Sequence, residues 1–377
     1  MPESYLDHNA TTPMLPEAAE AWARAAFGNP SSLHWAGRAA RAAVEEARET
    51  LAGWLGAAPG EIIFTSGGTE ADNLALMGAA ASGRLRGRHL VAASFEHPAV
   101  LEALRRLESE GWETTYVDPG ADGVVRPEAV AAALRPDTAL ATVMAANNET
   151  GALQPVEAIG SLLRERGVLF HCDAVQALGK AEVRPAAWSA DYAAVSAHKI
   201  NGPKGVGALY VRKGAPLAAR ALGGPQERRQ RGGTENAPGI AAFAAAADWW
   251  RRRGAEERAR LESLRDRLEG ALRARIPDLI VNAAEAPRLP NTLNATFPGC
   301  RADLLVMALD MQGVAVSAGS ACASGAAQHS HVLLAMGKGK EAAASSLRFS
   351  LGLGNRQEEI DSIVDRVAEA AAGVRGA

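Results

Sequence analysis

The chain has 377 residues, 40 of them basic and 43 acidic, a formal net charge of −3 and 47% hydrophobic residues. That length allows one large core with a smaller second domain, and the balanced charge excludes the basic footprint of a nucleic-acid or membrane-surface protein. No apolar run reaches the length of a membrane span, and Met1-Pro2-Glu3-Ser4 lacks the charged and apolar regions of a signal peptide, so a cytoplasmic protein is expected.

Tyr5 to Pro13 reads as a short extended segment running into a turn. Pro16 opens a helix to about Phe27, with Glu17 in its first turn. After the loop Gly28-Asn29-Pro30-Ser31-Ser32, apolar residues at Ala40, Ala43, Val44, Ala47, Leu51 and Leu55 predict a helix from about Trp35 to Leu55, closed by Gly56. Strands and helices then alternate. Strands are expected at 61–65, 89–93, 114–117, 140–145, 168–172, 192–195 and 208–211, and helices at 69–81, 98–110, 126–134 and 156–166. That alternation argues for an α/β layer with a mostly parallel sheet. A long charged amphipathic helix follows from about Ala237 to Ala274. The remainder mixes strands at 291–297, 314–316 and 347–350 with helices at 302–310 and 358–372, an α+β pattern.

The stretch with most chemical content is Ser196-Ala197-His198-Lys199, entered from the apolar run Tyr192-Ala193-Ala194-Val195 and left through Asn201-Gly202-Pro203-Lys204-Gly205. A lysine met in isolation is ordinarily a solvated loop residue. At the mouth of a core strand it also suits a Schiff base, because its amine can be neutralised and can condense with a carbonyl. Thr65-Ser66-Gly67-Gly68-Thr69-Glu70 lies between a strand and a helix. It reads equally as a phosphate cradle and as a plain helix cap. Asp173 ends a strand, where open α/β sheets bind ligands. It can cap the next helix or hold a pyridinium proton. His97 stands at a similar strand end. A histidine there is commonly structural, though next to a flat cofactor its ring could stack on the face. The three cysteines, Cys172, Cys300 and Cys322, are odd in number and far apart, so they form neither a disulfide framework nor a metal knuckle. Cys172 ends an apolar strand and reads as packing, and Cys300, beside Pro298-Gly299, as a turn residue.

Six motifs in order carry a resemblance: Tyr5-Leu6-Asp7-His8-Asn9-Ala10-Thr11-Thr12, Phe64-Thr65-Ser66-Gly67-Gly68-Thr69-Glu70, Asn147-Asn148-Glu149-Thr150-Gly151, Asp173-Ala174-Val175-Gln176, Ser196-Ala197-His198-Lys199 and Ser317-Ala318-Gly319-Ser320-Ala321-Cys322. Together, from about residue 4 to 370, they resemble the NifS/IscS-type cysteine desulfurases within the class V aminotransferases of pyridoxal-phosphate fold type I. The resemblance implies an α/β large domain over 16–255 with a mostly parallel central sheet flanked by helices. A smaller α+β domain over 256–377 would carry the Cys322 loop, and residues 1–15 would pack with that small domain.

The resemblance also implies roles. Lys199 would link covalently to pyridoxal phosphate and act as base, Asp173 would pair with the ring nitrogen, and Gln176 would bond the phenolic oxygen. His97 would stack on the ring and is one choice of proton acceptor, the substrate being another. Gly68, Thr69, Ser196 and His198 would hold the phosphate, with Thr234 reaching the phosphate of the neighbouring subunit of a homodimer. Asn148 and Arg348 would bind the substrate carboxylate, a task that suits the planar guanidinium fork. Cys322, among small residues that suit a swinging loop, would take sulfur from L-cysteine as a persulfide and leave L-alanine. The sulfur would pass to an acceptor such as an iron–sulfur scaffold protein. Cys322 could also ligate a cluster transiently, and no other metal site is expected. Three features depart from the usual pattern: Leu353 where an arginine is common, Gln328-His329 where Glu-Pro is common, and an end at Ala377 without the longer tail of the IscS branch. The Gly-Thr-Glu-Asn run at 233–236 leans toward the NifS branch. A selenocysteine lyase or another class V lyase or aminotransferase is the same-fold alternative. A sulfur carrier without activity is a different class, against which the intact Lys199 and Asp173 weigh.

Overall fold

The apolar runs between glycine-rich turns become the strands of one seven-stranded sheet, in the order Ile62–Thr65, Gly207–Val211, Tyr192–Ser196, Leu169–Asp173, Thr138–Thr142, His89–Ala93, Glu113–Val117. The computed structural model describes residues 3–319 and 329–376. All of these strands are mutually parallel except Gly207–Val211, which is antiparallel to both neighbours. Side chains alternate between the faces, as a strand requires. Ile62, Phe64, Val91, Ala193 and Val195 enter one apolar cluster, and Ile63, Leu90, Ala92, Tyr192 and Ala194 the other. Both faces are covered, which is why these strands read as continuous apolar runs. The helices Gly68–Ala81 and Pro98–Ser109 close one face. Trp35–Leu55, Val156–Glu165 and the first part of Ala237–Arg275 close the other. Gly56 ends the helix Trp35–Leu55 at φ 66°, a left-handed position that glycine adopts without strain.

A second sheet, antiparallel, runs Ser317–Ala318, Ser346–Ser350, Thr292–Thr296, Ile280–Val281. The 39-residue helix Ala237–Arg275 links the two layers. Its start is capped by the Asn236 side chain, which accepts the Gly239 N–H. Phe243, Ala246 and Trp250 face the large sheet's core, and Trp250 Nε1–H donates to the Ile200 carbonyl at 3.1 Å, fixing the loop beyond Lys199. Leu261, Leu264, Leu268 and Leu272, at helical spacing, are buried farther along. The N-terminal strand Ser4–Tyr5 pairs in parallel with Val314–Ala315. The chain then crosses to the large sheet, where Leu15 N–H donates to the Asn201 carbonyl at 2.9 Å.

Two differences from the sequence reading have physical reasons. The run at 140–145 leaves the regular ladder after Thr142, yet stays bonded to the neighbouring strand, with the Ala145 N–H donated to the Asp173 carbonyl at 2.8 Å. The helices His331–Ala335 and Gly339–Ala344 had no sequence reading, because one turn or so is too short to show a period.

Glu227, Arg228 and Arg229 hold φ of 44°, 56° and 65°, a run of left-handed non-glycine residues. A buried fork fixes this turn. Arg48 Nη1 and Nη2 each lie 2.8 Å from one Glu227 carboxylate oxygen, with the two side chains 2% and 1% exposed. The same carboxylate accepts the Phe64 N–H at 3.0 Å, and Arg48 also donates to the Ile62 carbonyl. Glu227→Ala therefore strands a buried guanidinium and should cost about 3–5 kcal/mol, read as a lower urea midpoint. Arg48→Met combined with Glu227→Leu should recover most of that loss. An unchanged midpoint for Glu227→Ala would mean that the fork does not hold the turn.

Candidate active site

The C-terminal ends of the parallel strands open onto a cavity of about 930 Å³, lined by Gly68, Thr69, Asp72, Ser94, His97, Asn148, Glu149, Asp173, Gln176, Ser196, His198, Lys199 and Arg348 among others. The sheet dictates this convergence. Asp173 and Ser196 are the last residues of their strands. His97 follows the strand His89–Ala93, and Gly68 follows Ile62–Thr65. Of the sequence-predicted residues, the structure brings Gly68, Thr69, His97, Asn148, Asp173, Gln176, Ser196, His198, Lys199 and Arg348 to this one cavity. Thr234 is exposed and lines neither this cavity nor the smaller one beside it, and Cys322 lies outside the described residues. Cys172 and Cys300 are buried, and burial raises the Cys172 thiol well above its ordinary value, as for a packing residue.

Lys199 sits in the single 3₁₀ turn Ala197–Lys199, and its Nζ donates to the Asn9 carbonyl at 2.6 Å and the Ala10 carbonyl at 2.8 Å. The helix Gly68–Ala81 begins without a side-chain cap, so its first N–H groups face the cavity wall shared by Ser66, Gly67, Ser196, His198 and Lys204. Ser196 Oγ is buried there with no hydrogen-bond partner. His198 is pushed down to about 4 by burial and by Lys199, Lys204 and Lys180, so at neutral pH its ring is uncharged. Arg231 reaches Glu70 at 2.8 Å, which ties the Thr234 segment to this helix start.

Asp173 is buried, and its Oδ1 accepts the Val175 N–H at 2.9 Å. Burial raises its pKa, while His97 and Lys199 pull the other way. His97 caps the helix Pro98–Ser109, its Nδ1 accepting the Ala99 N–H at 3.1 Å. Because Nδ1 accepts, Nε2 carries the proton of the neutral ring, and burial favours that neutral form.

Beneath Asp173 lies a set of buried groups that the sequence reading missed. Asp72 Oδ1 is 3.3 Å from His171 Nε2, and His171 Nδ1 is 2.8 Å from Thr142 Oγ1. Glu96 accepts the Met144 N–H at 2.8 Å. Burial raises the Asp72 and Glu96 carboxyls well above their ordinary values, helped by Asp173, and pushes His171 down to about 3. One signal was available: His171 and Asp173 stand two apart on a strand and so share a face.

The opposite end of the cavity is cationic. Arg348 Nη1 donates to the Asn148 carbonyl at 3.0 Å and Nη2 to Asp7 at 2.7 Å, while its Nε is buried with no partner. Glu149, one residue past Asn148, accepts Ser330 Oγ–H at 2.5 Å. A Cβ at Gly319 would collide with its Oε2. Burial raises Glu149 to about 7, against the pull of Ser330 and Arg348. Among the described residues there is no cluster of metal-ligating side chains and no helix long and apolar enough to cross a membrane.

The aminotransferase class-V family model matches residues 4–363. A cysteine desulfurase IscS of Anaeromyxobacter dehalogenans (strain 2CP-C) is 46% identical over 95% of this chain and 89% of that protein. Among solved structures, a NifS-like protein matches with a TM-score of 0.92 at 36% identity, over 99% of this chain and 100% of the other. SspA in complex with cysteine matches with a TM-score of 0.79 at 33% identity, over 92% and 98%.

Glu149 makes stability depend on pH in a direction opposite to that of a salt-bridged carboxylate. Between its ordinary 4.5 and about 7, the unfolded chain ionises this group while the folded chain keeps the proton. Stability therefore falls across that window, by about 3 kcal/mol in full. Glu149→Gln removes the effect, so the variant should gain on the wild type as the pH rises from about 5 to about 8. Thermal unfolding of both at a series of pH values checks this, and parallel curves would refute it.

Proposed function

The chain belongs to the class-V aminotransferases, and on that footing we propose that it is a pyridoxal-phosphate-dependent cysteine desulfurase that converts L-cysteine to L-alanine and leaves the sulfur as a persulfide on Cys322. The observation that carries this reading is the convergence on one cavity of Lys199, the buried Asp173, the unpartnered Ser196 Oγ and the unpartnered Arg348 Nε. These groups fit the cofactor. The uncapped helix start with Ser196, His198, Gly68 and Thr69 suits a phosphate. A buried carboxyl such as Asp173 is stabilised by sharing a pyridinium proton. His97 would lie against the ring, and Gln176 would donate to its phenolic oxygen. When bound, pyridoxal phosphate supplies an aldehyde carbon that lysine can hold and a ring that withdraws electrons from the substrate's Cα.

The chain's own groups do the rest. Arg348 and Asn148 hold the carboxylate of cysteine, so that its Cα is presented to Lys199. Lys199 Nζ accepts the Cα proton. His97 already carries its proton on Nε2, so it positions by contact, and the thiol proton passes to the substrate's own amine. The Cys322 thiolate forms a bond to the substrate sulfur as the carbon–sulfur bond breaks. The carbon skeleton regains a proton and leaves as alanine, and cysteine plus enzyme thiol become alanine plus enzyme persulfide. The sulfur is then delivered to an acceptor thiol, such as that of an iron–sulfur scaffold, in the cytoplasm.

We assign the large domain to 16–255 and the small domain to 256–377, with residues 1–15 packed on the latter. A homodimer is supported by Phe27, Leu33, Trp35 and Leu222, which are 73%, 89%, 69% and 85% exposed. They adjoin the segment that bears Thr234, through the Gln226–Ser31 and Gly232–Ala221 hydrogen bonds.

Cys322→Ala should lose sulfide release from L-cysteine, by about 100-fold or more for a nucleophile, while keeping the visible absorbance of bound cofactor. Lys199→Ala should lose the covalent link that borohydride traps, seen by mass spectrometry. Sulfide production that survives in Cys322→Ala would overturn the persulfide route.

A further inference from the structure

Lys180 is a second lysine beside the site, this one buried, and the proposed reaction gives it no task. It is 5% exposed. Residues 174–181 form two turns joined at Gly179, φ 79°, in which Leu178 N–H donates to the Ala174 carbonyl and Ala181 N–H to the Ala177 carbonyl. These turns bring Lys180 back against Gln176. Lys180 Nζ donates to Gln176 Oε1 at 2.9 Å and to Asn9 Oδ1 at 3.0 Å. No carboxylate is among these partners, although a buried ammonium ordinarily has one. Burial, Lys199 and Arg348 all lower its pKa well below the ordinary lysine value. Ammonium or neutral amine, it has protons for both oxygens.

The amide geometry follows from this. An amide oxygen and nitrogen look alike, and the surrounding donors decide which way round they lie. Lys180 donates to the Gln176 oxygen, which turns the Gln176 NH₂ the other way. There it donates to the Asn9 carbonyl at 2.9 Å, the same oxygen that holds Lys199 Nζ. Asn9 is fixed likewise. Its Oδ1 accepts from Lys180 and Asn291, and its Nδ2 donates to Thr292 Oγ1 and the Asn148 carbonyl.

We infer that Lys180 is a positioning residue that locks the Gln176 amide with its NH₂ toward the cavity, so that Gln176 acts there only as a donor. The inference rests on the cofactor reading above, in which Gln176 donates to the phenolic oxygen. A donor at that oxygen weakens its hold on the neighbouring imine proton and lowers the pH midpoint at which the visible band titrates. A free amide turns its oxygen inward part of the time and loses that effect.

The test is the pH titration of the visible absorbance band in the holoenzyme, for wild type, Lys180→Met, Gln176→Ala and the double variant. Each single variant should raise the midpoint by about one pH unit, the scale of one hydrogen bond, and the double variant should equal Gln176→Ala alone. Effects that add, as a direct field of the lysine charge or a general loosening would produce, overturn the inference, as does an unchanged midpoint in Lys180→Met. If Lys180→Met is insoluble, Gln176→Glu replaces it. The new carboxylate can pair with Lys180 but offers no N–H to the cavity or to the Asn9 carbonyl, so the midpoint should rise at least as far as in Gln176→Ala. A wild-type-like midpoint there overturns the inference. Absence of the band from the wild-type holoenzyme would instead overturn the cofactor reading, and this inference with it.

Discussion

The site depends on where one buried asparagine is held. Asn9 sits on a segment that begins in a strand beside Val314–Ala315 and ends against the loop after Lys199. Its carbonyl accepts from Lys199 and Gln176, its side-chain oxygen from Lys180 and Asn291, and its amide nitrogen donates to Thr292 and Asn148. With its N–H donated to Ser350 Oγ, every polar atom of that residue is used, and the bonds reach the turn at 176–180, the strand start at 291–292, Asn148, Lys199 and Ser350. A buried amide left short of partners costs about 1–3 kcal/mol per group, so the arrangement is strongly specified. The large sheet supplies the strand ends, the second sheet supplies Thr292 and Arg348, and Asn9 sets the distance between them.

Desolvation, more than charge pairing, sets the electrostatics of the cavity. Asp72, Glu96 and Asp173 are all buried near one another, and burial is the first cause of the upward shift in each. Their mutual repulsion adds to it. Three carboxylates cannot all ionise in a dry site. The one nearest to His97 and Lys199 feels an opposing pull, and that one is Asp173. The group best able to hold a negative charge is therefore the one that ends a strand at the cavity. At the other end, Arg348 and Lys199 place positive charge around Asn9. The cavity is polarised along its length, acidic at the sheet and basic where the two layers meet, which suits a ligand with a basic ring nitrogen at one end and an acid group at the other.

Much of this was legible in the sequence, for identifiable reasons. Strands buried on both faces are apolar throughout, so Tyr192–Ser196 and Leu169–Asp173 stood out, and with them the residues at their ends. The run Gly67-Gly68-Thr69 placed the uncapped helix start. Three things were not legible. The antiparallel direction of Gly207–Val211 is a property of pairing, and an apolar run carries no sign of direction. Lys180 looks in sequence like any lysine after a glycine, and only the turn that follows Gln176 shows its burial. Asp72 and His171 lie ninety-nine positions apart, and neither has a local pattern that predicts a buried pair. In each case the missing information is a long-range contact.

Arg348 illustrates what such contacts accomplish. A long side chain that is free in solution loses about 2 kcal/mol of rotamer entropy when a ligand immobilises it. Here two of its nitrogens are already committed, one to the Asn148 carbonyl and one to Asp7, and the side chain is buried. The unpartnered Nε is the remaining edge of the fork. Under the proposed reading, the guanidinium therefore does not have to be ordered again when a carboxylate binds. The Asp7 pair also keeps a buried cation neutralised, which avoids the penalty of a lone charge. Asp7 belongs to the same N-terminal segment as Asn9. The segment that positions the lysine amine thus also orients the arginine, and the separation between the two cations is fixed by two residues of one crossing strand of chain.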